Sequence, residues 1–379
     1  MTPAHDFVIV GAGIAGASLA HALAPRAGVL LLEAESQPGL HSTGRSAAMF
    51  MESYGPPQAR ALTRASRAFL QAPPPGFAAV PLVGPRGALY AAWEGQQAQL
   101  DALRDGLLTS GTAIERLSAT AALARVPVLR AQGLLGALWE EHALDIDVDA
   151  LHQGFLRGAR SAGATLWLEA RLQSATHDGS GWQLHLADGR VLRARVLVNA
   201  AGAWADDVAR ACGVMPLGIQ PLRRSAFTFD APADVDTRGW PTVASVADDW
   251  YIKPDAGRLL GSPANADPVP AHDVQPEELD IALAIDAIQR DTTLSIRRPH
   301  RTWAGLRSFT ADGEPAIGPD PRQRAFFWFA GQGGWGIQSA VGAAALGASL
   351  LLDEALPEPL RTQGLDPARL TPARLAAGG

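Results

Sequence analysis

Cysteine and lysine are nearly missing from this chain. Its 379 residues include one cysteine, Cys212, which can close no internal disulfide and build no cysteine-based metal site. The nine histidines show no pair at metal-ligand spacing, so no metal centre is expected. Of 32 basic residues only Lys253 is lysine, which we read as the codon bias of a GC-rich, bacterial genome rather than as chemistry. Charge is sparse at 18%, with 32 basic against 38 acidic residues and a net charge of −6. No basic run exceeds a pair, so the stripe that nucleic acid requires is lacking and nucleic acid is not an expected partner. Free thiol chemistry points to the reducing cytoplasm, a location compatible with peripheral membrane association for electron delivery.

Two apolar stretches need a reading. Phe7 to Ala24 is preceded by Met1-Thr2-Pro3-Ala4-His5-Asp6, which lacks the basic region of a signal peptide. Gly331 to Leu352 has no charge and is long enough to span a bilayer. Its glycine and alanine content, with Gln332, Gln338 and Ser339, instead predicts a helix packed inside protein, so no transmembrane segment is expected.

The hydrophobic fraction of 47% supports a large core, and the length predicts about two domains. Phe7-Val8-Ile9-Val10 reads as a strand covered on both faces. Gly11-Ala12-Gly13-Ile14-Ala15-Gly16 follows, then a helical stretch to Leu23, then a second strand, Val29 to Leu32, ending in Glu33. Gly11 permits the tight turn, Gly13 the approach of a pyrophosphate, and Gly16 close packing of the helix. The helix start at Ile14 and Ala15 offers N–H groups to phosphate, and Glu33 can accept from a ribose. A glycine-rich turn alone is weak evidence, but strand, turn, helix and acid together specify a dinucleotide site.

Three further segments favour an extended FAD over NAD. The loop His41-Ser42-Thr43-Gly44-Arg45-Ser46-Ala47-Ala48 is rich in donors. The strand Val196 to Asn199 ends in small residues, Ala200-Ala201-Gly202-Ala203, before Trp204. Gly331-Gln332-Gly333-Gly334-Trp335-Gly336-Ile337-Gln338 is a second glycine-rich turn opening a helix, suited to holding the electron-rich part of a reduced flavin.

In their order these segments resemble the glycine/D-amino-acid oxidase superfamily of FAD enzymes, and within it the chain looks most like bacterial D-arginine dehydrogenases. The similar blocks include residues 41–48, 150–154, 223–227, 253–257, 261–268 and 302–309. The resemblance implies an α/β, Rossmann-like FAD-binding domain interleaved with an α+β substrate domain on a mostly antiparallel sheet. The expected division is 1–80, 142–216 and 302–379 for the cofactor domain, and 81–141 and 217–301 for the substrate domain. It also places Ala34 and Leu172 at the cofactor. Cys212 is not where relatives attach flavin covalently, so FAD is expected to be non-covalent.

Strands are expected at Val80 to Trp93, Arg223 to Phe229, Trp250 to Lys253, Leu259-Leu260 and Thr292 to Arg297, with a helix from Glu277 to Asp291. By resemblance, Arg224 and Arg307 form a clamp for a substrate carboxylate, completed by the hydroxyls of Tyr54 and Tyr251. An arginine fork suits that task, since it meets a carboxylate in two parallel bonds. Arg223 is the alternative to Arg224, because strand alternation turns only one of them inward. Gly334 joins the pocket. The acid that receives a basic side chain in D-arginine dehydrogenase falls at Ala88, and the family's polar loop residues fall at Met49 and Met51. Burying an unpaired guanidinium is costly and methionine offers adaptable apolar surface, so an apolar or bulky side chain is expected unless Glu52 or Glu94 restores the charge.

The resulting expectation is an enzyme that oxidises the Cα–N bond of an amino acid, the D-enantiomer by resemblance, by hydride transfer to flavin N5. The imino acid then hydrolyses to a keto acid and ammonia. No protein base is assigned. The same clamp also suits an N-substituted glycine or a 2-hydroxy acid. A nicotinamide-dependent dehydrogenase and a non-catalytic flavoprotein are the remaining alternatives. Whether oxygen or a quinone takes the electrons is left open by the sequence, although the resemblance leans towards a dehydrogenase.

Overall fold

The continuous apolar run at the start of the chain is explained by a sheet with protein on both sides. In the computed structural model, which describes residues 4–109 and 111–376, strand Ala4–Val10 lies between Val29–Leu32 and Val191–Asn199, parallel to both. Alternation sends Phe7, Ile9 and Leu31 into a core shared with helices Ile14–Leu23, Val148–Ser161 and Ala340–Leu351. It sends Val8, Val10, Leu30 and Leu32 into a second core with Trp182, Leu184, Ala205 and Ala209. Each such side chain contributes roughly 1.5–3 kcal/mol of burial. Thr165–Trp167 extends the sheet beyond Val29–Leu32 in parallel, and Phe326–Ala330 pairs in parallel with Val191–Asn199. An antiparallel hairpin, Leu172–His177 and Trp182–Leu186, closes one edge.

The uncharged C-terminal run divides into a turn and the helix Ala340–Leu351. Two glycines let that helix approach its neighbours. A Cβ at Gly342 would stand 2.4 Å from the Leu62 carbonyl oxygen in helix Pro57–Gln71, and one at Gly347 would stand 3.0 Å from Leu19 and Phe329. Close packing over most of its surface, with Leu350 left exposed, goes with the missing charge. Among the described residues no helix is long and apolar enough to cross a membrane.

The second sheet is built around Gln220–Phe229, which pairs antiparallel with Arg301–Phe309, Arg258–Ser262 and Asp267–Pro268. It continues through Tyr251–Asp255 and Thr242–Ser245, then by its single parallel pairing to Ala88–Trp93, and on to Leu134–Glu140 and Glu115–Leu117. Helix Glu278–Asp291 packs Ile281, Ala284 and Ile288 against Phe227, Phe229 and Trp250. A small sheet of Met49–Phe50, Leu144–Ile146 and Val83–Pro85 lies between. This is the interleaved α/β architecture expected.

Two expectations about local structure are corrected. Val80 to Trp93 is two strands, Val83–Pro85 and Ala88–Trp93, interrupted at Gly87, whose φ is +73° and where a Cβ would stand 2.0 Å from the Trp139 ring. Thr292 to Arg297 is not a strand. Thr292 makes an isolated bridge to Leu129, and Ile296 is instead held by its N–H donating to the Gln289 side chain at 2.8 Å. Arg301–Phe309, grouped from residue 302 on with the cofactor domain in the expected division, pairs over its full length with Gln220–Phe229 of the second sheet.

Candidate active site

One cavity runs from the first glycine turn to the second sheet. Its walls include Gly11, Gly13, Ile14, Ala15, Glu33, Ala34, Ser42, Thr43, Arg45, Ser46, Ala47, Leu172, Ala201, Gly202 and Trp204. At its far end stand Arg224, Tyr251, Arg307, Gly333, Gly334, Gly336 and Ile337. The turn itself is tightly built. Gly11 has φ +100°, and a Cβ there would meet the Ala200 carbonyl oxygen at 2.5 Å. Gly16 is not on the wall. It seats the helix on the turn, where a Cβ would lie 1.9 Å from the Gly11 oxygen.

Polar side chains brace this end. Glu33 accepts from the N–H of Ala12 at 3.0 Å and of Glu35 at 3.1 Å, leaving lone pairs for a ribose. Thr43 Oγ1 accepts from Ile14 N–H at 3.0 Å, and Ser42 donates to the Leu306 carbonyl at 2.6 Å. Arg45 is committed to the protein, donating to the carbonyls of Val274 and Ala304 and to Asp273. Through Ser42 and Arg45 the loop is fastened to the second sheet.

At the other end the turn bearing Gly333 is tied to strand Arg301–Phe309, its N–H donating to the Ser308 carbonyl at 2.8 Å. That tie brings Gly334 against Arg307. Arg307 Nη1 donates to the Tyr54 hydroxyl at 2.9 Å. Arg224 stands opposite Gly305, and Arg307 opposite Leu222, on the paired strands. The two guanidiniums are therefore diagonal neighbours on one face, with no side chain at Gly305 to separate them. Burial, then the positive charge of Arg307, lowers the pKa of Arg224. Arg307 is raised although burial opposes it, through Tyr54, Tyr251 and Asp248. Arg224 Nε is buried without a hydrogen-bond partner.

Arg223 points to the opposite face, where it contacts Asp267, Glu277 and Asp280. Met49, Met51 and Ala88 do not line the cavity. Met49 pairs with Asp145, its sulfur accepting from the Thr242 hydroxyl, and Ala88 is buried opposite Glu140. Trp335 lies behind the wall, with Tyr54 and Phe309 edge-on at 5.6 and 5.4 Å. Gln338 also lies behind it, accepting from Met51 N–H and donating to the carbonyls of Met51 and Tyr54 and to Thr63. Lys253 pairs with Asp145 at 2.8 Å, away from the cavity. Cys212 follows helix Ala205–Ala211, and burial pushes its thiol up to about 12.

Sequence reasoning passed over several residues. His152 lies within one of the similar blocks without a role assigned. Its Nε2–H donates to the Ala12 carbonyl at 2.8 Å, since a carbonyl only accepts, so it holds the glycine turn from beneath. Asp248, in the turn between Thr242–Ser245 and Tyr251–Asp255, has φ +54° and acts electrostatically on both Arg224 and Arg307. Burial raises its own pKa, while Arg224 and Arg307 pull it down. Its position three residues before Tyr251 was the available signal.

The FAD-dependent oxidoreductase model matches residues 6–350, and the chain belongs to that family. The sequence is 26% identical to glycine oxidase of Geobacillus kaustophilus over 227 residues, 58% of this chain and 57% of that protein. It is 26% identical to N-methyl-L-tryptophan oxidase of Salmonella dublin over 245 residues, 62% of each. The chain thus spans about three-fifths of the length of these curated relatives. The solved glycine oxidase superposes with a TM-score of 0.81 at 24% identity, covering 93% of this chain and 96% of that one. L-α-glycerophosphate oxidase from Mycoplasma pneumoniae with FAD bound superposes with a TM-score of 0.84 at 15% identity, covering 92% and 95%; at such identity the likeness is one of fold.

FAD is the cofactor of this oxidoreductase family, and the cavity fits it. The glycine turns bring the backbone of Gly11, Gly13, Gly333 and Gly334 to the cavity wall without a side chain, and a Cβ at Gly11, Gly333 or Gly334 would collide with protein. The wall carries Glu33 by the first turn and Arg224 and Arg307 by the second.

Proposed function

We propose that the protein oxidises the Cα–N bond of a carboxylate-bearing amine, an amino acid in the first instance. The observation that carries this reading is the pair Arg224 and Arg307. Two guanidiniums line one cavity end, and Arg307 donates to the Tyr54 hydroxyl behind that wall. Two cations so placed repel, and a substrate carboxylate relieves them. Arginine forks meet it in parallel bonds, with the hydroxyls of Tyr54 and Tyr251 available on the same side.

Bound FAD supplies the two-electron acceptor. The residues on the first glycine turn and the Ser42–Ala47 loop would hold its dinucleotide part, and the Gly333–Ile337 turn its far end. The chain's own work is to bind and orient: the clamp fixes the carboxylate, which limits the poses of Cα and its nitrogen. Loss of a hydride from Cα, which carries both electrons, and of a proton from nitrogen gives an imino acid, and water converts this to a keto acid and ammonia.

The resemblance favours a D-amino acid. Among the described residues the acids on the cavity wall are Glu33, Glu35 and Asp207, none of them on the second sheet that carries Arg224 and Arg307, so an apolar side chain is favoured over that of D-arginine. Asp248 is the acid that bears on the clamp and the one a basic side chain would have to reach. A secondary amine remains the second reading, supported by likeness to N-methyl-L-tryptophan oxidase.

Anaerobic mixing of the holoenzyme with D- and L-amino acids, N-methyl amino acids and 2-hydroxy acids tests this, with flavin bleaching as the readout. Bleaching by apolar D-amino acids but not D-arginine is expected, with ammonia as product. Bleaching by D-arginine refutes the side-chain preference. An alkylamine product selects the second reading, and bleaching by 2-hydroxy acids alone overturns both.

A further inference from the structure

The loop carrying Tyr54 is held on two sides. Gln338, from the second glycine turn, bonds the backbone of Met51 and Tyr54. From the other side comes a carboxylate of the second sheet. Glu140, at the end of strand Leu134–Glu140, is 3% exposed. One of its oxygens accepts from the N–H of Glu52 at 2.8 Å and of Ser53 at 3.3 Å. The other contacts the Ser53 hydroxyl, which lies 2.8 Å from the buried Tyr90 hydroxyl.

These contacts set the direction of the network. With Glu140 ionised the carboxylate only accepts; Ser53 then donates to Glu140 and its own oxygen is left to receive the Tyr90 hydroxyl proton. Every donor is then matched. Burial raises the Glu140 pKa, the three bonds from Ser53 and Glu52 oppose that, and the charged neighbour is another acid, Glu52. A buried carboxylate facing an acid and three donors is a poor stabiliser of the sheet it sits on. What its bonds fix is the backbone of residues 52 and 53, immediately before Tyr54.

We propose that Glu140 is a positioning residue, holding residues 52–53 so that the Tyr54 hydroxyl stays at the Arg307 guanidinium where the substrate carboxylate binds. The proposal rests on the amine-oxidation reading for its kinetic half. It also accounts for Ala88, the cross-strand partner of Glu140. An acid at 88 would stand directly opposite Glu140, and like charges so placed destabilise a sheet.

The test uses holoenzyme variants E140A, E140Q and S53A. Hydrogen exchange is measured at the amides of residues 51–55, and anaerobic flavin reduction gives the apparent substrate Kd and limiting rate separately. In E140A, exchange should rise at residues 52–53 while the first sheet keeps its protection. The Kd should rise about tenfold, the scale of one lost bond to a charged group, with the limiting rate nearly unchanged. E140Q keeps an acceptor for the two amides and should fall between E140A and wild type. S53A should change both readouts in the same direction, less than E140A, and decides the matter if E140A does not fold. Wild-type exchange and wild-type Kd in E140A and S53A would overturn the proposal, as would exchange rising equally throughout the second sheet. If no carboxylate-bearing amine bleaches the wild type, the functional reading fails, and the exchange at residues 52–53 still decides the tether.

Discussion

Replacing Gly16 by alanine isolates the physical basis of cofactor binding. The added Cβ would lie 1.9 Å from the Gly11 carbonyl oxygen and 3.0 Å from its carbon, where real Cβ contacts are essentially never under 3.0 Å. Both obstacles are backbone, so no side chain can swing aside, and the helix start or the turn must move by about 1 Å. That displacement falls on the residues whose N–H groups we propose to face the phosphates. Losing one or two hydrogen bonds to a charged group costs about 1.5–3 kcal/mol each, so the FAD dissociation constant should rise by roughly tenfold to ten-thousandfold. Titration of apoprotein with FAD, followed by quenching of flavin fluorescence, measures this. Gly13→Ala provides the comparison, since its Cβ would meet only the Thr43 hydroxyl, at 3.2 Å. If G16A binds FAD within a factor of three of wild type, the turn is not the phosphate cradle.

Gly334→Ala acts at the opposite end: its Cβ would stand 2.5 Å from the Tyr54 hydroxyl and 3.1 Å from Arg307 Nη1. FAD should be retained while the substrate Kd in anaerobic reduction rises about tenfold or more. Burial lowers His152 and His21 below the ordinary 6.5. The unfolded chain then binds more protons than the native state just below that value, so stability present above pH 6.5 is lost as pH falls through the lowered values. H152Q, which keeps a donor for Ala12, should flatten the fall of Tm with acid; an unchanged slope refutes the assignment. Cys212→Ala should leave the flavin content unchanged, and acid precipitation of wild type should release all its colour to the supernatant; a yellow pellet would contradict non-covalent binding.

The cofactor end was the more legible in sequence because its determinants are local. A strand, a turn of obligatory glycines, a helix and an acid all fall within residues 7–33. The clamp was legible only through resemblance, since Arg224 and Arg307 are brought together by a pairing 83 residues apart in sequence. Strand alternation left Arg223 and Arg224 as alternatives, and the sheet's neighbours place Arg223 among three acids on the other face. What sequence could not supply was long-range polar contact. Glu140 reaches Ser53 across 87 residues, and Gln338 reaches Met51 across 287, with no periodicity to announce either. The pairing of strand Arg301–Phe309 was hidden for a similar reason: nine consecutive pairings hold it to Gln220–Phe229, far away in sequence.

The first strand, Ala4–Val10, takes a partner that ends at Asn199, and that partner takes one that ends at Ala330. On the ribosome, at about 5–20 residues per second, roughly 15–65 s separate synthesis of the first strand from that of the last. Phe7, Ile9 and Leu19 lack their final cover until helix Ala340–Leu351 emerges. Until then the face that these residues turn towards that helix stays open, and the cavity lacks the wall formed by Gly333, Gly334, Gly336 and Ile337.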